Sequence, residues 1–143
     1  MTITQEISLD LKNALKRLKL GRMLDTLPER LALARQQKMT HQDFFLLAVQ
    51  DEVTRRNSIA VTIRATRAHL EPDMQLERWD ESAKVSFDRT LLNELVSLRF
   101  IEARAHVTIV GPVGIGKTFI AHCIGHAACR RGYSVLVVSA DRM

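Results

Sequence analysis

Apolar residues recur every three or four positions through most of the first 105 residues, which is the spacing of helices with one buried side. Leu11, Ala14, Leu15 and Leu18 predict a first helix, and Gly21 is placed to end it. No other glycine occurs before residue 111, so few positions favour sharp turns. The pattern therefore predicts a mainly helical N-terminal region.

Two further helices are expected in this region. A short one surrounds Pro28, with leucines at helical spacing on both sides. A long one starts at Thr40, where Asp43 completes a weak capping box, and no glycine or proline interrupts it before Pro72. Residues 58–63 alternate as a strand does, but their helical flanks and the lack of a turn residue favour a continuous helix.

The middle of the chain combines a polar stretch with one more helix. Residues 71–85 are polar and include Trp79, which predicts a linker that packs locally. The next helix is expected from Asp88 to Arg99. Its inward positions are Leu91, Leu92, Leu95 and Leu98.

The last third changes from helical to mixed character. His106–Val110 and Ser134–Val138 are short β-branched runs, typical of buried parallel strands. Between them a glycine-rich loop leads into a predicted helix, Lys117–Arg131, with Gly132 as its C-cap. Strand, loop, helix and strand together form a βαβ unit.

Composition excludes several classes of protein. Apolar residues make up 46% of the chain, which argues against global disorder. No run approaches the roughly 20 apolar residues of a membrane span, and the N-terminus lacks the apolar core of a signal peptide. We therefore expect a cytoplasmic protein. Cys123 and Cys129 are too few for a disulfide framework and are predicted to be buried, reduced thiols.

Positive charge is concentrated at the N-terminal end. Residues 1–70 hold twelve Lys/Arg against seven Asp/Glu, whereas residues 71–105 hold five against eight. A basic helical module can meet DNA phosphates, and a solvated helix face explains the same charges equally well. The candidate DNA contacts on the long helix are Arg55, Arg56, Arg64 and Arg67.

The glycine-rich loop matches the phosphate-binding pattern G-x-x-x-x-G-K-[ST]. A triphosphate needs many donors at close range, and glycines let main-chain N–H groups turn inward towards it. Lys117 supplies a charge for the β- and γ-phosphates, and Thr118 offers a hydroxyl to Mg²⁺. The predicted nucleotide-binding residues are Gly111, Pro112, Val113, Gly114, Ile115, Gly116, Lys117, Thr118 and Phe119.

No catalytic residue is predicted. Hydrolysis needs an acidic residue that helps to hold Mg²⁺ and a group that orients water. Asp141 is the single carboxylate after the loop, and it follows the wrong strand for that role. His122 and His126 lie one helical turn apart and could bind a metal beside Cys123, but no carboxylate or third histidine lies nearby in the sequence. They are predicted to be two surface histidines.

From Phe87 onward the chain resembles the IstB/DnaC family of AAA+ ATPases. These are helper ATPases encoded beside insertion-sequence transposases, and relatives of the bacterial helicase loader. The region from Phe44 to Arg56 is also similar to that family's N-terminal domain, and the resemblance is weakest at residues 57–85. The stretches that carry the resemblance are Leu91–Leu95, Arg99–Glu102, Gly111–Thr118 and Ala127–Tyr133.

The resemblance implies an α/β P-loop NTPase of the AAA+ type preceded by an all-α N-terminal domain. The expected regions are a helical domain at 1–70, a linker and helix at 71–105, and a truncated ATPase core at 106–143. The resemblance also implies ATP and Mg²⁺ as ligands, DNA binding, and self-oligomers that assist a transposase. Phe100 and Ile101 are expected near the adenine.

Two departures from the family pattern affect the expected activity. The family usually has a second proline where Val113 stands, and a main-chain role there should tolerate the change. The second acidic motif, polar sensor and arginine finger of the family are not found. The expectation is a C-terminally truncated copy that binds ATP and hydrolyses it weakly or not at all. The alternatives are a non-enzymatic DNA- or partner-binding helical module with a relic P-loop, and an unrelated P-loop kinase or GTPase.

Overall fold

A computed structural model describes residues 7–80 and 86–140. The chain forms two compact units, Met1–Ile59 (unit 1) and Ala60–Met143 (unit 2), and the division falls within the longest helix. Its helices are α1 (Leu9–Arg17), α2 (Leu27–Gln36), α3 (His41–Arg67), α4 (Arg89–Val96), α5 (Arg99–Glu102) and α6 (Lys117–Arg130), with 3-10 turns at Gly21–Asp25 and Leu76–Arg78.

The long helix α3 confirms the prediction of a continuous helix through residues 58–63. The Thr40 hydroxyl accepts the Asp43 N–H at 3.1 Å and donates to the Asp43 carboxylate at 2.7 Å. The hydroxyl thus pairs with one of the N–H groups that have no acceptor at the start of a helix. The short helix α2 carries Pro28 in its first turn, where a missing N–H costs nothing.

Five non-glycine residues at helix ends adopt the left-handed conformation: Lys19, Lys38, His69, Leu98 and Arg104. After α1, the N–H of Leu20 donates to the carbonyl of Leu15 at 2.8 Å, the longer hydrogen bond of a Schellman cap. Lys19 therefore ends α1, and the prediction that Gly21 does so was wrong. The cap bonds stabilise a conformation that ordinarily favours glycine, which occurs before residue 111 only at Gly21.

Unit 1 packs its helices around a small apolar core of Met23, Leu27 and Ala48. Leu15 from α1 and Phe44 from α3 pack against this cluster while remaining partly exposed. No residue of α1 itself is buried. Burial of apolar area is the main stabilising contribution in such a core, so α1 contributes less to it than α2 and α3.

Unit 2 is organised around α6, half of whose fourteen residues are buried. On one side Cys129 packs with Ala68 and Leu70, and on another Ala127 and Ala128 pack with Leu98. A side-chain carbon at Gly125 would lie 2.6 Å from Cδ2 of the buried Leu70, which would have to shift to make room for it. The predicted helix Lys117–Arg131 and its Gly132 cap, with φ of 90°, are confirmed.

The helix after the linker differs in two respects from its prediction. Asp88 caps α4, as the predicted start requires, by accepting the N–H groups of Thr90 and Leu91. Leu98 is 1% exposed and lies inward as expected. Leu91 is 54% exposed, so its predicted inward position was wrong. The helix also ends at Val96, three residues before the predicted Arg99.

Neither predicted strand is present in the part of the chain that the structure describes. Residues 106–110 and 134–138 have no regular secondary structure. A strand is stabilised by hydrogen bonds to a neighbouring strand, and the described residues provide no such neighbour. The N–H of Val137 instead donates to the carbonyl of Ala68 at 2.9 Å, which holds this segment against the end of α3. The strands of the α/β fold class stay a prediction.

Candidate nucleotide-binding site

The loop before α6 has a conformation that depends on glycine. Gly114 and Gly116 have φ of 86° and 91°, in the left-handed region where other residues are strained. A side-chain carbon at Gly111 would lie 2.3 Å from Cδ1 of Ile115, an exposed side chain that would have to move. The loop residues are otherwise exposed, so their main chain is accessible to a ligand.

Lys117 extends across this loop and binds its first two residues. The ammonium Nζ donates to the carbonyl of Gly111 at 2.8 Å and to the carbonyl of Pro112. An ammonium has three protons, so one donor remains for a ligand. The two carbonyls hold the Lys117 ammonium over the loop before a ligand binds. This reduces the side-chain entropy that Lys117 loses when it binds a phosphate.

The first turn of α6 adds donors to the same place. The N–H of Ile120 donates to the carbonyl of Gly116 at 3.0 Å, the first main-chain hydrogen bond of the helix. The N–H groups of Lys117, Thr118 and Phe119 precede that bond and have no acceptor within the helix. With the positive end of the helix dipole, they form a site suited to a phosphate. The exposed Thr118 hydroxyl lies in the same turn.

Two histidines anchor α6 to the segment that follows α3. Nδ1 of His122 accepts the N–H of Glu71 at 3.0 Å, and Nε2 of His126 lies 2.9 Å from the carbonyl of Glu71. Because the amide can only donate, His122 carries its proton on Nε2, whereas His126 donates from Nε2. Both side chains are buried, so the prediction of surface histidines was wrong. No cluster of metal-ligating side chains occurs within residues 7–80 and 86–140.

The two cysteines are buried and free, as predicted. Burial, reinforced by the negative charge of Glu77, raises the pKa of the Cys123 thiol to about 11. Burial likewise raises the pKa of Cys129. Both thiols are therefore protonated at neutral pH and poorly nucleophilic, which gives them a packing role beside the loop helix.

Two of the four candidate DNA arginines are held by a buried carboxylate in unit 1. Glu52 receives two hydrogen bonds from Arg55, at 2.7 and 2.8 Å, and one from Arg56 at 2.6 Å. Arg56 also donates to the carbonyl of Lys19 at 2.9 Å. The hydrogen bonds from the arginines lower the pKa of Glu52 to about 2. Each of the two guanidinium groups thus makes two hydrogen bonds within the protein.

The other two arginines differ from each other. Arg64 donates to the carbonyl of Cys129 at 3.0 Å and so caps the C-terminal end of α6. Arg67 is exposed, and no hydrogen bond or ion pair of its side chain occurs within the described residues. Of the four predicted contacts, Arg67 keeps the most freedom to bind a phosphate.

Phe100 and Ile101, which are expected near the adenine, are partly buried, and their position beside the base stays a prediction. Phe100 and Ile101 pack against Leu98 and the Ala127–Ala128 side of α6. A cavity of about 330 Å³ opens elsewhere in unit 2, where Trp79 and Ile120 contribute to its lining. Sequence reasoning assigned Trp79 only to local packing, because nothing in its polar surroundings marks a binding residue. Asp141 lies outside the described residues.

Within the described residues, no helix has the length and apolarity required to cross a membrane. Comparison with protein families finds that the model described as IstB-like ATP binding protein matches residues 13–143.

Curated relatives give the same result. A putative ATP-binding protein in an insertion sequence of Mycobacterium tuberculosis is 41% identical over 133 residues, which cover 93% of this chain and 53% of the relative. A putative ATP-binding protein of insertion sequence IS21 from Pseudomonas aeruginosa is 30% identical over 94% of this chain and 51% of its own length. A putative insertion sequence ATP-binding protein of Sinorhizobium fredii is 32% identical over 88% of this chain and 51% of its own length. The chain thus spans about half the length of these relatives.

Proposed function

The chain belongs to the family of IstB-like ATP-binding proteins, and on this premise we propose that the loop Gly111–Thr118 binds the triphosphate of ATP. The observation that carries the proposal is the position of Lys117, whose ammonium is held over the loop by two carbonyls. The unpaired N–H groups of the first turn of α6 supply further donors. The names of the curated relatives, which are insertion-sequence ATP-binding proteins, agree with it.

Mg²⁺ fits the same site. The Thr118 hydroxyl is an oxygen ligand of the kind that Mg²⁺ accepts beside phosphate oxygens. A bound Mg²⁺ would offset the negative charge of the β- and γ-phosphates. This chain's own contribution is to bind and orient the phosphates through Lys117 and the loop amides. Weak or absent hydrolysis by these 143 residues stays a prediction, which release of inorganic phosphate from MgATP would test.

The finer features of the fold belong to the same proposal. In an α/β P-loop core, residues 106–110 and 134–138 pair with strands, and the regions 1–70, 71–105 and 106–143 act as helical domain, linker and ATPase core. The β-branched composition of both segments supports this. We also propose a cytoplasmic location.

Titration with a fluorescent ATP analogue and Mg²⁺ tests the nucleotide proposal. Lys117→Ala removes a charged hydrogen bond to phosphate, which is worth about 1.5–3 kcal/mol, so affinity should fall about 10- to 100-fold. Lys16→Ala, which removes an exposed lysine of α1, is the matched control and should leave Kd unchanged. Equal affinities for the wild type and the Lys117→Ala protein would contradict the proposal.

Binding of DNA in support of a transposase is a second proposed function. The relatives are named for insertion sequences, and the net charge of +5 suits a polyanion. Arg67 is the predicted contact with the fewest interactions inside the protein. Arg67→Ala should weaken duplex binding at every sequence and reduce the slope of log K against log salt concentration by about 1. Anisotropy titrations over a salt series measure this, and an unchanged slope would exclude Arg67 as a phosphate contact.

A further inference from the structure

Glu71 is the first residue of a turn that contains Pro72. Its carbonyl accepts the N–H of Met74 at 3.1 Å, which closes the turn with proline at the position that suits its fixed φ. Proline disfavours the helical conformation in the residue before it and favours an extended one. An extended residue directs its N–H and its C=O to the same side of the chain. Both main-chain groups of Glu71 are therefore available to a single neighbouring element.

That element is α6, where two histidines meet the two main-chain groups of Glu71. His122 accepts the N–H through Nδ1 at 3.0 Å, and His126 donates to the carbonyl from Nε2 at 2.9 Å. The histidines are four residues apart, so they lie on the same face of the helix in successive turns. They are 7% and 5% exposed, so water competes little for these hydrogen bonds. We call this pair of hydrogen bonds the Glu71 clamp.

The Glu71 clamp lies close to the donors of the phosphate site. Thr118, in the first turn of α6, precedes His122 by four residues, a rise of about 6 Å. The main-chain hydrogen bonds of the helix connect the two turns, so a tilt or rotation of α6 at His122 moves the N–H groups of the first turn with it. Lys117, whose ammonium is held by the loop carbonyls, belongs to the same turn. The clamp thus holds the helix that carries these donors.

Apolar packing defines the orientation of α6 less sharply than the Glu71 clamp does. The apolar side chains that α6 buries are small: Cys123, Ala127, Ala128 and Cys129. Hydrophobic burial is non-directional, so small side chains tolerate sliding and rotation, whereas a hydrogen bond requires a particular distance and angle. Arg64 donates to the carbonyl of Cys129, at the end of α6 that lies away from the loop. The Glu71 clamp is therefore suited to orient the end that carries the phosphate donors.

We propose that His122 and His126 are positioning residues for phosphate binding, an inference that rests on the proposed function. By holding α6 on the main chain of Glu71, they fix the direction in which its first turn presents N–H groups to the phosphates. Neither histidine has to touch the nucleotide. A role in packing alone would require the volume of the two side chains and not their polar atoms.

Substitutions that keep or remove the polar atom separate these two roles. His122→Leu and His126→Leu retain apolar bulk and lose the hydrogen bonds. His122→Asn sets an amide oxygen close to the place of Nδ1, and His126→Gln sets an amide nitrogen close to the place of Nε2. The exchanged amides, His122→Gln and His126→Asn, misplace the polar atom and take the place of any leucine variant that does not fold.

Calorimetry with MgATP measures the effect at a temperature at which circular dichroism shows each variant to be folded. The leucine variants and the exchanged amides should bind about tenfold more weakly than the wild type, since a misplacement of about 1 Å can cost up to about 100-fold in a preorganised site. His122→Asn and His126→Gln should bind within about twofold of the wild type, because each restores its hydrogen bond to Glu71. Inorganic tripolyphosphate should lose affinity by the same factor as ATP, because the clamp acts on the phosphate donors.

A control variant separates positioning from a general loss of stability. Leu27→Ala lowers stability through the apolar core of unit 1 and should leave the affinity for MgATP unchanged. Leucine variants that bind like the wild type would overturn the proposal. So would His122→Asn and His126→Gln proteins that bind as weakly as the leucine variants while the wild type binds both ligands. If the wild type binds neither ligand, the proposed function fails and the positioning role fails with it.

Discussion

The two units differ in how they satisfy the polar side chains that they bury. Unit 1 buries Glu52, a carboxylate that Arg55 and Arg56 neutralise. Unit 2 buries His122 and His126, which both bond to the main chain of Glu71. The stability that a buried ion pair contributes depends on the ionisation of both partners. A hydrogen bond from a side chain to a peptide group involves no second titrating group.

The Glu52 cluster and the two histidines hold different elements of the fold together. The Glu52 cluster joins side chains of α3 to the carbonyl of Lys19, where α1 ends in a strained conformation. The histidines hold the segment after α3 on α6, the helix that carries the phosphate loop. We therefore expect loss of the Glu52 charge to weaken unit 1, and changes in the core of unit 2 to affect nucleotide binding.

The largest effect is expected from the apolar core of unit 2. Leu98→Ala should lower the free energy of unfolding by about 2–5 kcal/mol, because Leu98 is almost fully buried against α6. Leu91→Ala removes the same atoms from an exposed position of α4 and should change it by less than about 0.5 kcal/mol. Urea denaturation measures both. Similar losses for the two variants would show that α4 does not pack as described.

The histidine contacts should contribute a smaller amount. His126→Ala removes a buried hydrogen bond and should cost about 1–3 kcal/mol in the same assay. Because the bond is to the main chain, Glu71→Ala should cost less than about 0.5 kcal/mol. A large loss from Glu71→Ala would mean that its side chain, rather than its peptide groups, holds α6.

Acid should act on unit 1 through Glu52. Its pKa is about 2 in the folded protein and about 4.5 when unfolded, so the unfolded state binds the proton more readily. The stabilisation is complete above about pH 4.5 and is lost as pH falls towards 2. Glu52→Gln removes the titrating group, so the difference in Tm between wild type and variant should shrink over this range. A difference that stays constant with pH would contradict the assignment.

The smallest effect concerns the helix ends, where the units again differ. Lys38 ends α2 with φ of 50°, whereas Gly132 ends α6 with φ of 90°. Lys38→Gly should raise the free energy of unfolding by about 0.5–1 kcal/mol, because glycine adopts this conformation without strain. Gly132→Ala should lower it by about 1 kcal/mol for the same reason, since open space surrounds the added carbon. Changes of the same sign in both variants would refute the argument.

The sequence predicted the helices well because their signals are local. The Thr40 cap and the Gly132 cap each act within a few residues, and the structure confirms both. The phosphate-loop motif is local too, because its glycines and Lys117 lie in one short stretch of main chain, and nucleotide binding there stays a prediction. Helix ends at Lys19 and Lys38 were not predictable, because a non-glycine residue gives no signal that it will adopt a left-handed conformation.

Features that depend on distant residues were missed or misassigned. From the sequence alone, His122 and His126 are predicted to be surface residues. In the fold they bond to the peptide groups of Glu71, some 50 positions earlier. The sequence does not distinguish Arg64 from the other arginines of α3, because its hydrogen bond to the end of α6 depends on the fold. The predicted strands depend on neighbours in the same way. Composition indicates which residues suit a strand, and pairing decides whether one forms.

Hydrogen–deuterium exchange with and without MgATP tests the central claim most directly, that the phosphate loop and the first turn of α6 form the nucleotide site. Peptides covering residues 111–121 should gain protection, because their unpaired N–H groups acquire phosphate acceptors. Peptides from α2 should not change, and Lys117→Ala should remove most of the protection. Unchanged exchange at residues 111–121 under saturating MgATP, or equal protection in the Lys117→Ala protein, would contradict the claim.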